Sequence, residues 1–340
     1  LLKFLLRPFF STVLIGVNLD AKICALKIVV MKNKTIKSSL TKEFKIVDKE
    51  LPVEAAKLIA SYKRRHPFTY LSAISKTYNQ GLAHCSKKTD LLKFGVNAKT
   101  SKIIEMPHNW LFYIQQLAVD ENRVKFIRAL GLDYLFSPFI LVYENVKKTL
   151  TKEMQLFVLQ ERGSITLFVA DEQSVYFGGF FMMESGLDSS GEDQNTMMEV
   201  HSLKEMKDLD TVIGSIDELN EIGELEDLDE DLIRKEFMPE EIDSQKAQEA
   251  EISHLEELRD LARASNATEI LKHSISEFYS NEVYSARFIE KIVILDTYGI
   301  TEQAIEHIRG NLMLDIEIRS LSIPDALIEL AKAEMKDNQG

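Results

Sequence analysis

Three short turns carry the residues whose types could do chemistry. The first lies in VLIGVNLDAKICALKIVV, Val13 to Val30, where two apolar runs flank Asn18, Asp20 and Lys22. A tight turn between buried strands can aim backbone N–H groups at a phosphate, a task that favours glycine and small hydroxyls. Here the turn reads Leu19-Asp20-Ala21-Lys22. A carboxylate at that place repels a phosphate at short range, and Lys22 at best offsets it. The second turn, in VLQERGSIT, holds Gln160, Glu161, Arg162 and Gly163; the third, in ILDTYGITEQ, holds Asp296, Thr297, Tyr298 and Gly299.

Other chemistry finds little support. The chain has no GxxxxGK[ST] loop, GxSxG elbow, HExxH pair or GxGxxG after a strand. Cys24 and Cys85 form neither a zinc spacing nor a disulfide framework, and a reducing cytoplasm suits them. His66, His84 and His108 read as surface or capping residues rather than ligands. Trp110 reads as core, with an exposed aromatic patch for a partner as the alternative, and Gly178-Gly179 as a strand kink.

The elements that must position the turns follow from periodicity. After the first hairpin, Lys34–Phe44 reads as a third strand, Pro52 opens a helix with Val53, Ala56, Ile59 and Ala60 on one face, and Pro67–Ser75 returns as a strand. Helices are predicted around Trp110–Leu117 and from Asn122 to Leu130, closed by Gly131, before FILVYENV, a strand or a helix start. Met154–Phe181 then repeats the opening meander in three apolar runs. Two meanders, each followed by helices, point to a duplicated α/β architecture. Further on come one helix through Ile252, Leu255, Leu258 and Leu261 and another through Ile270, Leu271, Ile275 and Phe278. A strand Lys291–Asp296, a helix through Ile305, Ile308 and Leu312, an alternating strand LDIEI and a helix opened by Ser322 and Pro324 complete the pattern.

At 340 residues and 45% apolar, the chain can bury a core large enough for two lobes. Its net charge of −13 is unevenly spread: lysine and arginine dominate up to about Lys102, densest at SYKRRH, and acidic residues dominate from Glu184 to Asp260. That acidic stretch argues against nucleic acid as the main ligand. Lys63, Arg64 and Arg65 form a candidate surface for a partner or membrane, with ordinary solvated surface as the other reading. No apolar run approaches a membrane span. LLKFLLRPFFSTV reads as an amphipathic leader that packs on the domain or lies against a membrane.

In order, strand-turn-strand, a second strand-turn-strand and a late strand-turn-helix, these pieces resemble the two phosphate motifs and the adenosine motif of the actin-like ATPase superfamily. Within it the chain resembles the PilM family of type IV pilus assembly, related to FtsA. The resemblance is carried by LIGVNLDAKICALKIV with its basic leader, by RALGLDYLFSPFILVYENV, and by EILKHSISEFYSNEVYSARFIEKIVILD. It implies an actin-like, ribonuclease H-like duplicated two-lobe fold with an acidic helical insertion. The first lobe spans 1–150, with a small subdomain around 50–130; the second spans 151–183 and 251–340; the insertion spans 184–250.

The departures from that family all point one way. Asn18 stands where the family has Asp and Asp20 where it has Gly. Gln160, Glu161 and Arg162 replace an Asp-x-Gly stretch, and Asp296-Thr297-Tyr298-Gly299 replaces Gly-Gly. Asn18, Asp20, Lys22, Gln160, Arg162, Gly163, Asp296 and Gly299 are therefore expected to be degenerate nucleotide-site positions with no hydrolysis, no cofactor or metal, and at most residual ATP and magnesium binding. The resemblance implies a cytoplasmic scaffold, peripheral at the inner membrane, that grips the cytosolic tail of a bitopic PilN-like protein and self-associates in a ring. The machine served would be a type IV pilus, a secretion or competence pseudopilus, or a flagellar motor. An active ATP switch or sugar-kinase-like enzyme and an FtsA-like tethered filament former are the alternatives.

Overall fold

A computed structural model of the protein describes residues 10–33, 35–47, 50–85, 87–183 and 241–337, with side chains of the last stretch from 256 to 336. The leader at 1–9 and most of the acidic segment, 184–240, lie outside the described residues, as do the expectations placed on them. Two bodies of chain are distinguished, one formed by 1–185 with 258–340 and the other by 186–257. All the described strands lie in the first.

Strands β1 (Thr12–Asp20), β2 (Ile23–Lys32) and β3 (Thr35–Lys45) form the opening meander. Helix α1 (Val53–Arg65) then carries the chain to β4 (Phe68–Ile74), which lies parallel to β1 with Thr12 opposite Phe68. A small antiparallel sheet follows, built from β5 (Gln80–Ala83), β6 (Ser101–Met106) and β7 (Trp110–Gln115) in the order β5-β7-β6. Helix α2 (Gln116–Lys125) leads to β8 (Tyr134–Phe136), completing a five-stranded sheet in the order β3-β2-β1-β4-β8.

After helix α3 (Pro138–Val146) the scheme repeats. Strands β9 (Met154–Gln160), β10 (Ser164–Ala170) and β11 (Val175–Met182) form the second meander. They are followed by α4 (Glu241–Ser280), β12 (Ile289–Asp296), α5 (Glu302–Leu312), β13 (Asp315–Ser320) and α6 (Ile323–Asp337). The second sheet runs β11-β10-β9-β12-β13, with β12 parallel to both β9 and β13. Each sheet thus has its first strand between a meander and a parallel pair. This duplicated order is the one the two meanders predict, and it is the actin-like, ribonuclease H-like architecture that the family resemblance implies.

Packing explains which runs are continuously apolar. Helices α3 and α6 lie in a core shared with both sheets, where Leu14 and Val29 meet Phe139, Val142, Leu327, Phe157 and Val293. The other face of the first sheet packs Ile15, Leu26 and Leu71 on Ile59 of α1, and the second packs Val158, Leu167 and Ile292 on Leu271, Phe278 and Ile308. Strands β9 and β10, covered on both faces, are buried at every residue.

Several expectations change. Sequence order assigns 251–340 to the second lobe, yet α6 returns to the first sheet. A Cβ on Gly16 of β1 would lie 2.4 Å from the Pro324 carbonyl oxygen, and Lys27 pairs with Asp325. The small inserted sheet begins only at Gln80, because β4 pairs in the main sheet and α1 packs on its face. Trp110 starts a strand rather than a helix: His108 and Asn109 both have positive φ, 67° and 62°, the geometry of a tight hairpin turn. FILVYENV is helical because Ser137 caps it, accepting from the Phe139 N–H at 3.2 Å, with Pro138 at the first position. The two helices expected across Ile252–Phe278 are one, α4. Among the described residues no helix is long and apolar enough to cross a membrane.

Candidate functional site

The shared sheet order brings the three turns together. The β1–β2 turn is tight, with Asp20 opposite Ile23 and Ala21 in the left-handed region at φ 48°. The β9–β10 turn closes between Gln160 and Ser164, with the Glu161 N–H donating to the Ser164 carbonyl at 3.0 Å. Because β12 runs parallel to β9 with Asp296 opposite Gln160, the third turn adjoins the second.

Asp20 spans the gap between the first two turns. Its carboxylate accepts from the Arg162 N–H through Oδ2 and from the Gly163 N–H through Oδ1, both at 2.9 Å. Two adjacent N–H groups turned to one side form an anion-binding concavity, and hydrogen bonds to an ionised acceptor are among the strong ones. The anion bound here belongs to the chain.

Beneath this contact Glu161 is 1% exposed. It accepts from Asn18 Nδ2 at 2.9 Å and from Ser164 Oγ at 3.1 Å, and it pairs with Lys76, just beyond β4. Burial pushes the Glu161 carboxyl upward, and the Lys76 ammonium opposes that shift. The bond to Glu161 also settles the orientation of the Asn18 amide, since a flip would set two oxygens together.

The third turn is closed in the same manner. The Asp296 carboxylate accepts from the N–H groups of Tyr298, Gly299 and Ile300 at 3.0–3.1 Å, with Gly299 at φ 84°. Thr297 Oγ1 donates to the Gln160 carbonyl at 2.9 Å, and Gln160 Nε2 donates to the Tyr298 hydroxyl at 3.2 Å. The guanidiniums of Arg162 and Arg263 lie over the Tyr298 ring at 5.1 and 5.5 Å. Burial, reinforced by the Asp260 carboxylate, pushes the Tyr298 phenol up and keeps it neutral.

Asn18, Asp20, Gln160, Arg162, Gly163, Asp296 and Gly299 therefore belong to one joint between the lobes, while Lys22 is exposed at the first turn. Lys76, Ser164, Tyr298, Asp260 and Arg263 complete the joint. Tyr298 was visible inside the third turn; Lys76 and the α4 pair Asp260 and Arg263 carry no sequence signal tying them to it. The donor set does not suit a nucleotide phosphate. The two N–H groups of the second turn are taken, and of the buried atoms nearby that lack a hydrogen bond, Asn18 Oδ1, Gln160 Oε1 and Asp260 Oδ1 are acceptors, while the donor Lys76 Nζ is ion-paired with Glu161.

The basic cluster divides. Lys63 Nζ donates to the carbonyls of Gly131 at 2.8 Å and Leu130 at 3.3 Å and to Asp133 Oδ2 at 2.8 Å, so it caps the approach to β8. Arg64 and Arg65 remain exposed at the end of α1. A second polar group joins the small sheet to the second lobe. His84 stacks on Tyr176 at 4.8 Å and contacts Ser174 Oγ at 2.9 Å, and Asp171 pairs with Arg287. That hydroxyl donates to the His108 carbonyl at 2.6 Å, which commits its proton and argues against a nucleophilic serine.

A family model described as a domain of unknown function, DUF8341, matches residues 156–336, more than half of the chain. The chain belongs to the DUF8341 family. A second model, DUF8569, also of unknown function, matches 9–143, so the two matches cover the two meanders and the helices that follow each. No curated protein sequence matches. Among solved structures, the DUF8341 chain is similar to a Bacteroides thetaiotaomicron protein with an actin-like ATPase fold and unknown function. The identity is 7%, the TM-score 0.46, and the coverage 95% of this chain and 98% of that one. It is also similar to the PilM–PilN type IV pilus biogenesis complex, at 11% identity and TM-score 0.47 over 92% and 89%. The ethanolamine utilization protein EutJ from Carboxydothermus hydrogenoformans matches at 10% identity and TM-score 0.37 over 94% and 88%.

Proposed function

We propose that this chain is a non-catalytic actin-like scaffold, in which the cleft between the lobes serves as a fixed joint. The observation that carries the reading is Asp20 on the Arg162 and Gly163 N–H groups, where an incoming phosphate would have to displace a carboxylate already bonded twice. Asn18 in place of a magnesium-organising carboxylate supports it, because an amide gives a metal-bound water no charge. The partner follows from the resemblance of the sequence segments to the PilM family: the cytosolic tail of a bitopic, PilN-like inner-membrane protein, held at the cytoplasmic face in a ring below an envelope-spanning machine. Exposed Arg64 and Arg65 remain available to an acidic partner or headgroup.

Calorimetric titration of the full chain with magnesium-ATP, together with a phosphate-release assay, tests the first half. The expected result is neither saturable heat nor turnover, and magnesium-dependent turnover would refute it. Copurification with a bitopic protein encoded beside it, lost when that protein's cytosolic tail is deleted, tests the second half.

A further inference from the structure

We propose that the β9–β10 turn is an oxyanion site whose resident ligand is the Asp20 carboxylate of the same chain, and that this contact latches the two lobes at the cleft. The proposal deepens the non-catalytic reading of the cleft and rests on it. The geometry is that of bound ligand and receptor. Oδ1 and Oδ2 each take one N–H, from Gly163 and Arg162, so both oxygens of one carboxylate meet two successive donors at 2.9 Å. Asp20 and Gly163 are 143 residues apart, and Asp20 is only 7% exposed. Nothing in the local turn requires this bond: the β1–β2 hairpin closes through its own ladder from Asp20 opposite Ile23. The carboxylate is thus available to make a tertiary contact.

The receptor side is shaped for it. A Cβ built on Gly163 would lie 3.3 Å from Asp20 Oδ1 and 3.4 Å from the Ala21 nitrogen, so any side chain at 163 would crowd the carboxylate by a few tenths of an ångström. An independent link runs beside it, Asn18 Nδ2 to Glu161 Oε1 at 2.9 Å, again from the first turn to the second. In a two-lobed protein whose cleft ligand bridges both sides, closure depends on that ligand's affinity. Here the bridging anion is covalently part of one lobe, so its effective concentration at the turn is fixed. The ligand class follows from the donors: two backbone N–H groups spaced for one carboxylate or one phosphate edge, with no base or sugar contact required. An Asp20→Ala chain exposes these donors, and a small oxyanion in solution can replace the lost group.

Hydrogen exchange at the Arg162 and Gly163 amides and thermal melting of the full chain, in chloride and then in formate or inorganic phosphate, test the proposal. Asp20→Ala is expected to exchange these two amides about tenfold faster or more and to melt lower. Formate or phosphate should restore both readouts saturably in the variant and leave the wild type unchanged. Gly163→Ala, which keeps the carboxylate and crowds it, should raise exchange at the same amides without becoming anion-sensitive, and it serves if Asp20→Ala does not fold. Unchanged exchange in both variants overturns the latch, as does an anion effect equal in wild type and variant, or a loosened Asp20→Ala that no anion rescues. ATP turnover by the wild type would refute the non-catalytic reading instead, so the two failures are distinguishable.

Discussion

Replacing Lys76 with methionine should be one of the most damaging single changes near the joint. Glu161 is 1% exposed and keeps two neutral donors, Asn18 Nδ2 and Ser164 Oγ, when the ammonium is removed. Breaking a buried pair by deleting one partner costs about 3–5 kcal/mol, because the remaining charge stays desolvated. The Lys76 side chain is 13% exposed, so water reaches part of the pair and the lower end, about 3 kcal/mol, is expected. That is a large share of a typical folding stability of about 5–15 kcal/mol. Urea unfolding can be followed through Trp110, the single tryptophan, which is 1% exposed and packs edge-on against Tyr143 at 5.2 Å. The pH dependence supplies a second reading. Burial raises the Glu161 carboxyl in the folded state, so folded protein binds that proton more tightly than unfolded chain, and stability falls as pH rises through the raised value. Without Lys76 the opposing influence is gone and the value rises further, so the deficit of Lys76→Met should shrink on acidification. Adding Glu161→Gln should recover most of the loss, because a neutral amide needs no counter-ion. A Lys76→Met chain within about 1 kcal/mol of wild type near neutrality, or a deficit indifferent to acid, would refute the buried-pair account.

Gly16→Ala should destabilise by about 3 kcal/mol or detach α6, since the added Cβ would meet a backbone oxygen at 2.4 Å, and proteolysis at the C-terminal helix would report it. Lys63→Met should cost about 1–2 kcal/mol in urea unfolding by uncapping the Leu130 and Gly131 carbonyls, whereas Arg64→Ala and Arg65→Ala should stay within about 0.5 kcal/mol. In flotation with anionic vesicles, Arg64→Glu with Arg65→Glu should reduce any salt-sensitive binding and Lys63→Met should not; binding unchanged by the double reversal across a salt series would return Arg64 and Arg65 to solvated surface.

How much of this was legible depends on what each residue answers to. The meanders could be read because β9 and β10 are covered on both faces, and such strands appear as unbroken apolar runs bounded by turns. The same rule misleads at WLFYIQ. That strand is buried at Trp110, Leu111, Phe112 and Ile114, so it lacks the alternation of a half-exposed strand and passes for a helical face. The hairpin signal was Asn109, a residue that tolerates positive φ. The placement of α6 depends on the close approach of Gly16 to Pro324, 308 positions later, which no local pattern records. At the site, the sequence shows that Asp20 is wrong for a phosphate but not what makes it tolerable. The compensating donors are main-chain N–H groups of Arg162 and Gly163, which every sequence has and only the fold aims.

A duplicated two-lobe architecture makes the cleft the natural place for a switch, because a ligand there touches both sheets and can bias one arrangement over another. It does so only to the extent that it binds the two arrangements differently. In this chain the groups that would sense such a ligand are bonded to each other: Asp20 to the second turn, Asp296 to its own turn, and Gln160 to both Thr297 and Tyr298. A nucleotide would have to break these bonds before gaining any of its own, and the exchange of one anion for another leaves little differential affinity to drive movement. On the scaffold reading this is an advantage. The second junction, where His84 stacks on Tyr176 and Leu82 presses on Gly178, ties the small sheet of the first half to β11 of the second. With the halves joined both at the turns and along that edge, the proposed scaffold would hold surfaces contributed by both in one relative geometry independent of a cleft ligand, as the proposed repetition around a ring would need.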